Sequence, residues 1–334
     1  MKFINFGHRL HIVIMLAVLT GSACAQDLVY KSKLLPKPPV LDGEIDSDPA
    51  WESLPWESNF TYIGSERVAT KQTFFKIGYT PIALYFAIKC EEPNMNKIVA
   101  KFKDRESVFN DDGVELFIFP AKTKQFFHLI MNTQGARWNG MGLAMASDTL
   151  WDWQMMVAKQ KNSYTVEIML PFKLFDRIPE DLEQWTINIS RNNFTASEDH
   201  YSTWSQLDNL VEFTKLGGKL VFTESIKNTP QFQKIKKEIL DQRKKEALDI
   251  LGIAQVLINQ SLDICNKNSM NLDFVKSFNK SIAKAKQDVQ NADTLASTAV
   301  VLENAQKLYR QSELIKADIL LRSFCVEGTA FDGM

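Results

Sequence analysis

The chain has 334 residues, 45% of them hydrophobic and 24% charged, which is an ordinary globular composition with room for two domains. Its formal net charge of −1 excludes a general attraction to nucleic acid. The number of Lys and Arg residues minus the number of Asp and Glu residues is −6 over residues 26–225 and +3 over residues 226–334. The acidic first part argues against a ligand with a phosphate backbone, because such binding needs clustered cations.

Residues 1–25 have the pattern of an export signal. Lys2 and Arg9 precede an apolar run at 12–19, and small residues follow it. We therefore predict export to the periplasm, the cell surface or the medium. Cleavage as an ordinary signal and acylation of Cys24 as a lipoprotein both stay open. The apolar run is too short to span a bilayer, and since no later run reaches about 20 apolar residues, we predict no transmembrane segment.

Residues 26–225 consist mainly of short strand patterns separated by turn residues. Leu84, Phe86 and Ile88 alternate with polar or smaller residues, as an antiparallel sheet with two distinct faces requires. Many short strands with few helical patterns between them predict a mainly β, antiparallel, jelly-roll-like sandwich. The predicted strands are 71–79, 83–90, 113–119, 126–132, 154–159, 164–170 and 185–192.

Residues 226–334 have helical periodicity. Thr229 is a typical N-cap and Pro230 a typical first helical residue. Three amphipathic segments follow, which predicts a three-helix bundle or a helical hairpin as a second domain. We expect this domain to act either as a spacer or in self-association.

An acidic, turn-prone cluster at 110–113 leads directly into the predicted strand 113–119. Strand alternation places Glu115 on the same side as two phenylalanines. The cluster has four interpretations: Asp111 and Asp112 as calcium ligands, Glu115 as a hydrogen-bonding group for a sugar, a catalytic pair of carboxylates, or charged residues that only solvate a loop. Asp42 and Asp46 could supply calcium ligands equally well.

Ordered motifs across residues 26–225 resemble those of the family 9 carbohydrate-binding modules and the related DOMON-like sandwich domains of secreted bacterial proteins. Each motif is short, but together they follow the family's order over nearly the whole β-region. They are LDGEID at 41–46 with Trp51, FKIGY at 75–79, ALYFAI at 83–88, DDGVELFI at 111–118, FHLIMNTQGA at 127–136, YTVEIMLPF at 164–172, WTINISR at 185–191 and LGGKLVF at 216–222.

The resemblance implies non-catalytic binding of an oligo- or polysaccharide, such as xylan or cellulose, between two aromatic rings, often with structural calcium. Aromatic faces cover the C–H patches of a sugar, and carboxylates and amides bind its hydroxyls. It puts the first ring at Phe109, the acidic group at Glu115 and a basic group at His128. For the second ring, Trp204 and the stretch ending at Phe213 are the alternatives.

Three further candidates come from the residues themselves. Trp138, in a Gly- and Asn-rich turn, is predicted to be an exposed stacking ring. The polar run Arg191, Asn192 and Asn193 follows a strand end and could contact hydroxyls. Because no nucleophile elbow, phosphate loop or zinc motif occurs, we predict a binding module rather than an enzyme, without an organic cofactor.

Two rival functions stay open. A sandwich that has lost its sugar site would serve as a structural or protein-interaction domain. A haem-binding DOMON-type domain would use Met and His axial ligands. The candidates for the latter are His128, His200, Met131, Met141, Met145, Met155 and Met156.

Overall fold

The structure, a computed structural model, describes residues 28–123, 126–141, 145–146, 151–196, 199–209 and 217–328. The export signal with Cys24, and also Phe213, lie outside the described residues. The strands are β1 (Val29–Leu34), β2 (Thr61–Tyr62), β3 (Thr73–Tyr79), β4 (Ala83–Glu91), β5 (Gly113–Phe119), β6 (Phe127–Asn132), β7 (Arg137–Met141), β8 (Met145–Ala146), β9 (Gln154–Lys159), β10 (Ser163–Pro171), β11 (Gln184–Asn192), β12 (Tyr201–Thr203) and β13 (Gly218–Phe222).

These strands form a curled, sandwich-like half-barrel. Their order is β8-β7-β6-β5-β11-β13-β1-β3-β4-β10-β9, with β12 beside β11 and β2 beside β12. We call β8, β7, β6, β5, β11 and β13, together with β12 and β2, the front sheet. Strands β3, β4, β10 and β9 are the back sheet. The prediction of an antiparallel sandwich needs one correction, because β1 pairs in parallel with both β13 and β3. A long connection between β1 and β3 makes the parallel pairing sterically accessible.

The main hydrophobic core lies between the two sheets. Val114, Leu116 and Ile118 of β5 are fully buried in it, opposite Phe86 and Ile88 of β4. Burying an aliphatic side chain of this size stabilises the fold by about 1.5–3 kcal/mol. The predicted alternation of β5 is confirmed, so its remaining side chains lie on the outer face of the front sheet.

The outer face of the back sheet is covered by residues 35–56. Glu167 on β10 is buried there and accepts hydrogen bonds from Trp51 Nε1 at 2.7 Å and from Gly43 N at 2.7 Å. Thr165 Oγ1 donates to the carbonyl of Gly43 at 2.8 Å. Burial raises the pKa of Glu167, and these N–H donors only partly oppose that rise. The outer face of the front sheet is covered in part, because Leu207 packs there with Phe117 and Phe126.

Three helices follow the half-barrel: α1 (Pro230–Lys267), α2 (Asp273–Asn291) and α3 (Leu295–Gly328). These helices have 38, 19 and 34 residues, so the prediction of a mainly β chain is too coarse. The predicted cap of α1 is confirmed, because Thr229 Oγ1 accepts a hydrogen bond from Phe232 N. The helices share their own core, but Ile235 and Ile239 of α1 belong to the core of the half-barrel. The first turns of α1 therefore join the two parts.

Among the described residues, α1 is long and apolar enough to cross a membrane by length and composition. The sequence analysis did not identify this stretch, because polar residues such as Gln255 and Asn259 interrupt it and it has no continuous apolar run. Leu251 and Ile258 of α1 are fully buried against the other helices. Packing in a three-helix bundle therefore accounts for one apolar side of α1, whereas Ile253 and Val256 on the same helix are each 54% exposed.

Candidate functional site

The outer face of the front sheet carries Glu115 and His128, two of the polar residues that were predicted to bind a sugar. Residues that pair across neighbouring strands point to the same face of a sheet. Glu115 lies opposite Ser190 on β11, and Phe117 lies opposite His128 on β6. Asn192 extends the same row, since it lies two positions after Ser190 along β11. We call this surface the site face.

At its centre Glu115 joins two side chains in a hydrogen-bonded set. Its Oε2 is 2.7 Å from His128 Nε2, and its Oε1 accepts a hydrogen bond from Asn192 Nδ2 at 2.6 Å. Asn192 Nδ2 also donates to the carbonyl of Phe109 at 3.1 Å. Two neighbours thus fix the orientation of the carboxylate, and 12% of the Glu115 side chain remains exposed.

Aromatic rings surround this set. The His128 ring stacks on Phe117, with ring centroids 4.2 Å apart, and meets Trp138 edge-on at 5.2 Å. Phe109, the middle residue of a short 3-10 turn at the edge of the face, is 44% exposed. Partly exposed Tyr201 lies beside Asn192 on β12. Phe109 therefore offers a free ring surface next to Glu115.

Two buried polar atoms near Glu115, His128 Nδ1 and Asn192 Oδ1, have no hydrogen-bond partner among the described residues. In the neutral tautomer of His128 that donates from Nε2 to the Glu115 carboxylate, Nδ1 keeps its lone pair and is an acceptor. An unsatisfied buried acceptor costs about 1–3 kcal/mol, so a hydroxyl donor that reached these atoms would remove that cost.

Trp138 and Trp204 differ from their predictions. Trp138 was predicted to be exposed, but it lies on β7 and is 9% exposed, because Phe102 and Val108 of the loop before β5 pack over it. Trp204 is buried in the main core and meets Phe75 edge-on at 5.1 Å, so it offers no stacking surface. The second ring predicted near Phe213 lies outside the described residues.

Arg191, predicted to contact hydroxyls, points instead to the core. It is 1% exposed and forms an ion pair with Glu92 at 3.2 Å. Strand alternation explains the difference, because Arg191 and Asn192 are neighbours on β11 and must face opposite sides. Asn193 is nearly buried, and its Oδ1 lies 2.6 Å from Thr195 Oγ1. Of this run, Asn192 is the residue that reaches Glu115, and alternation could have identified it.

Glu92 was missed by the sequence analysis, because nothing near it in the sequence marks it. It is fully buried at the end of β4, and Lys71 Nζ donates to it at 2.8 Å. Burial alone would raise the pKa of Glu92, but the hydrogen bonds from Lys71, Thr195 and Asn94 together lower it. Glu92 is therefore held as a carboxylate inside the fold.

Asp111 holds a loop. Its Oδ1 accepts a hydrogen bond from Lys101 N at 2.9 Å, and its Oδ2 accepts from Phe102 N at 2.9 Å and from Asn132 Nδ2 at 2.8 Å. Asp112 accepts from two further backbone amides and is 2% exposed. Burial raises the pKa of Asp112, and its N–H donors oppose this. These carboxylates bind main-chain amides rather than forming an open set of oxygen ligands.

The calcium site predicted at these aspartates stays a prediction. Calcium takes six to eight oxygen ligands. Asp42 Oδ1 accepts from Glu44 N at 2.8 Å, and Asp46 forms an exposed ion pair with Lys89 at 3.2 Å. In the part of the chain that the structure describes, no three His, Cys, Asp or Glu side chains are grouped for a metal. The described side chains alone thus do not fit a calcium cage, and we derive no step from calcium.

Of the candidate haem ligands, His128 and Met131 do not come together. Met131 is buried in the core between the sheets, whereas His128, three residues earlier on the same strand, belongs to the site face. His128 Nε2 is also engaged with Glu115. The two residues therefore cannot ligate one iron from opposite sides without rebuilding β6.

Two cavities of about 740 and 810 Å³ lie away from the site face, between the half-barrel and the helices. Two of the cations that line them are engaged in ion pairs. Lys122 pairs with Glu180 and Arg243 with Asp176. The site face, with its partly exposed carboxylate and free ring, is the better candidate because its polar atoms converge.

Comparison with known proteins agrees with the resemblance seen in the motifs. A family model described as "Carbohydrate family 9 binding domain-like" matches residues 41–213, which is more than half of the chain. The search of curated proteins returned no match.

Three solved structures are similar to this chain. A protein from Bacteroides uniformis ATCC 8492 is 14% identical and has a TM-score of 0.49, over 59% of this chain and 99% of that one. A carbohydrate binding module family 9 from Caldicellulosiruptor kristjanssonii is 15% identical in both of its complexes. With glucose the TM-score is 0.46, over 60% of this chain and 100% of that one; with cellotriose it is 0.45, over 60% and 97%. Because the family model matches more than half of its length, this chain belongs to the family of carbohydrate family 9 binding domain-like proteins.

Proposed function

We propose that the chain binds a carbohydrate on its site face and does not cleave it. The observation that supports this most directly is the Glu115, His128 and Asn192 set beside the exposed ring of Phe109. A sugar combines C–H patches, which stack on an aromatic ring, with hydroxyls, which bind carboxylates and amides. Membership of a non-catalytic binding family supports the same function.

The chemistry of the set favours a neutral, hydroxyl-rich ligand. Glu115 is an acceptor when ionised, and the free atoms His128 Nδ1 and Asn192 Oδ1 are acceptors as well. Hydroxyl groups donate to such atoms, whereas a phosphate or a uronate carboxylate would be repelled by Glu115. Both free atoms are covered in the structure, so a ligand reaches them only after side chains at the edge of the face move.

The wider setting is also part of the proposal. Four expectations follow from the sequence: export directed by residues 1–25, a role in polysaccharide degradation, a preference for xylan or cellulose, and self-association through the helices. The family of the chain is compatible with each of them but decides none.

The rival function is a structural or interaction domain without a working sugar site. One observation favours it: of the rings Phe109, Trp138 and Trp204, only Phe109 is exposed, so a pair of stacking rings is not visible in the described residues. A haem-binding function has no comparable support.

Isothermal titration calorimetry with glucose, cellotriose and xylotriose, with and without calcium, separates these functions. We expect the wild-type chain to bind at least one of these sugars, with Phe109→Ala and Glu115→Ala each weakening binding at least about tenfold. Val40→Ala, at an exposed site on the covered back-sheet side, is the control and keeps wild-type affinity. No heat with any sugar would support the rival, and unchanged affinity in both variants would move the site elsewhere.

A further inference from the structure

Two loops meet at the end of the site face. The platform loop, residues 93–112, carries Phe109, and the return loop, residues 193–196, follows Asn192 at the end of β11. The carbonyl of Phe109 in the first loop accepts a hydrogen bond from Asn192, directly before the second. The relative position of the two loops therefore sets how Phe109 and Tyr201 face Glu115.

Two buried carboxylates connect these loops, and each does so with one oxygen per loop. Asp112 Oδ2 accepts a hydrogen bond from Val99 N of the platform loop at 2.7 Å, and its Oδ1 accepts from Phe194 N of the return loop at 2.8 Å. Glu92 repeats the arrangement. Its Oε1 accepts from Asn94 N at 2.9 Å, and its Oε2 accepts from Thr195 Oγ1 at 2.8 Å.

The negative charge of Glu92 is balanced by two cations. Arg191 is 1% exposed and contacts Glu92 at 3.2 Å, and Lys71 Nζ approaches the same carboxylate at 2.8 Å. Buried charges are retained when they are paired and hydrogen-bonded, and breaking one partnership leaves the others uncompensated. The pairing explains why Arg191 faces inward although Asn192, its neighbour, faces the ligand side.

We propose that Glu92 and Asp112 are positioning residues for the sugar site, which act by holding the platform loop and the return loop at a fixed separation. Neither carboxylate touches the ligand. The part of this inference that concerns affinity rests on the proposed function, whereas the coupling of the loops does not.

Amide hydrogen exchange in the full chain tests the coupling. The Asp112→Asn side chain keeps one acceptor oxygen for one of the two backbone N–H groups, but its NH₂ group cannot accept a hydrogen bond from the other. Asp112→Asn therefore releases at least one loop. We expect faster exchange in both residues 94–103 and residues 193–196, because the two loops lose their common partner. Asp111→Asn is the matched control, since its partners lie on the platform loop and β6, and we expect faster exchange in residues 98–103 only. Unchanged exchange at 193–196 in Asp112→Asn would overturn the proposal.

Affinity for cellotriose then separates positioning from general destabilisation. We expect Asp112→Asn to raise the Kd at least about tenfold. Glu167→Gln removes a buried carboxylate on the opposite side of the fold and should leave the Kd unchanged even where it lowers the melting temperature equally. Equal losses of affinity in the two variants would refute a positioning role. Failure of the wild type to bind glucose, cellotriose and xylotriose would refute the proposed function, while the exchange result would still decide whether the carboxylates couple the loops.

Discussion

Gly43→Ala should be one of the most damaging single-methyl additions in this fold. Gly43 lies in the turn that opens the family motif, at φ +85, and it donates its N–H to buried Glu167. A Cβ placed there would lie 2.4 Å from Ala158 Cβ and 3.0 Å from Ala158 N. Those atoms belong to strand β9 and are not the tip of a flexible side chain, so the turn must move away from the back sheet.

The magnitude has two parts. The left-handed backbone costs a non-glycine residue about 1–2 kcal/mol. Overpacking against β9 adds about 1–3 kcal/mol, for a total of about 2–5 kcal/mol. Gly135 is a matched control, because its φ is +88 and a Cβ there would have nothing within 4 Å. Gly135→Ala should therefore cost only the backbone part, about 1–2 kcal/mol.

Urea unfolding followed by tryptophan fluorescence measures this difference. All seven tryptophans lie between residues 51 and 204, so the signal reports the half-barrel and not the helices. We expect the free energy of unfolding to fall further in Gly43→Ala than in Gly135→Ala by about 1–3 kcal/mol. Equal losses in the two variants would show that the turn does not pack tightly on β9 and would refute the reasoning.

Three further predictions concern other contacts. Arg243 bridges the half-barrel and two helices, with Nε 2.7 Å from Asp176 Oδ2 and Nη1 2.6 Å from the carbonyl of Leu295. Arg243→Ala should cost about 1–2 kcal/mol and speed amide exchange in the first turns of α1 and α3, whereas Lys245→Ala, which removes an exposed pair within α1, should not. Removing Glu92 leaves Arg191 buried without its partner, so Glu92→Gln should cost about 3–5 kcal/mol near neutral pH. Because the pKa of Glu92 is lowered on folding from 4.5, its contribution is present above that value and is lost as the pH falls through the folded pKa. As the pH falls through the folded pKa, the free energy of unfolding of Glu92→Gln in urea titrations should therefore fall less than that of the wild type. Parallel losses would contradict the role of Glu92. Burial raises the pKa of Tyr79 to about 12, so the contribution of this phenol is complete below its ordinary value of 10.0 and declines as the pH rises toward 12. The melting temperature of Tyr79→Phe should accordingly fall less steeply with rising pH over this alkaline range than that of the wild type. Identical slopes would refute the assignment.

Local patterns predicted much of this fold. Strand alternation predicted the bounds of β5 and β9 and the face on which Glu115 lies, because a period of two depends only on neighbouring residues. The cap at Thr229 and the three helices also followed from local signals. The parallel pairing of β1 could not be predicted in this way, since it depends on a partner nearly 190 residues away.

The site was predicted in part, and the failures have a common cause. Glu115 and His128 were placed correctly on one face and are hydrogen-bonded. Trp138 was misjudged because its turn-like sequence says nothing about the loop that packs over it. Glu92 was missed because its importance comes from Arg191, which is distant in sequence and buried with it. Pairings of this kind arise from tertiary packing and leave no local pattern.

A crystal structure of the full chain soaked with cellotriose tests the central claim most directly. The account predicts a glucose ring stacked on Phe109, with a hydroxyl within hydrogen-bonding distance of Glu115 and hydroxyl donors directed toward His128 Nδ1 and Asn192 Oδ1. Cellotriose bound elsewhere, for example in the cavities beside α3, with Phe109 and Glu115 free of ligand, would contradict it.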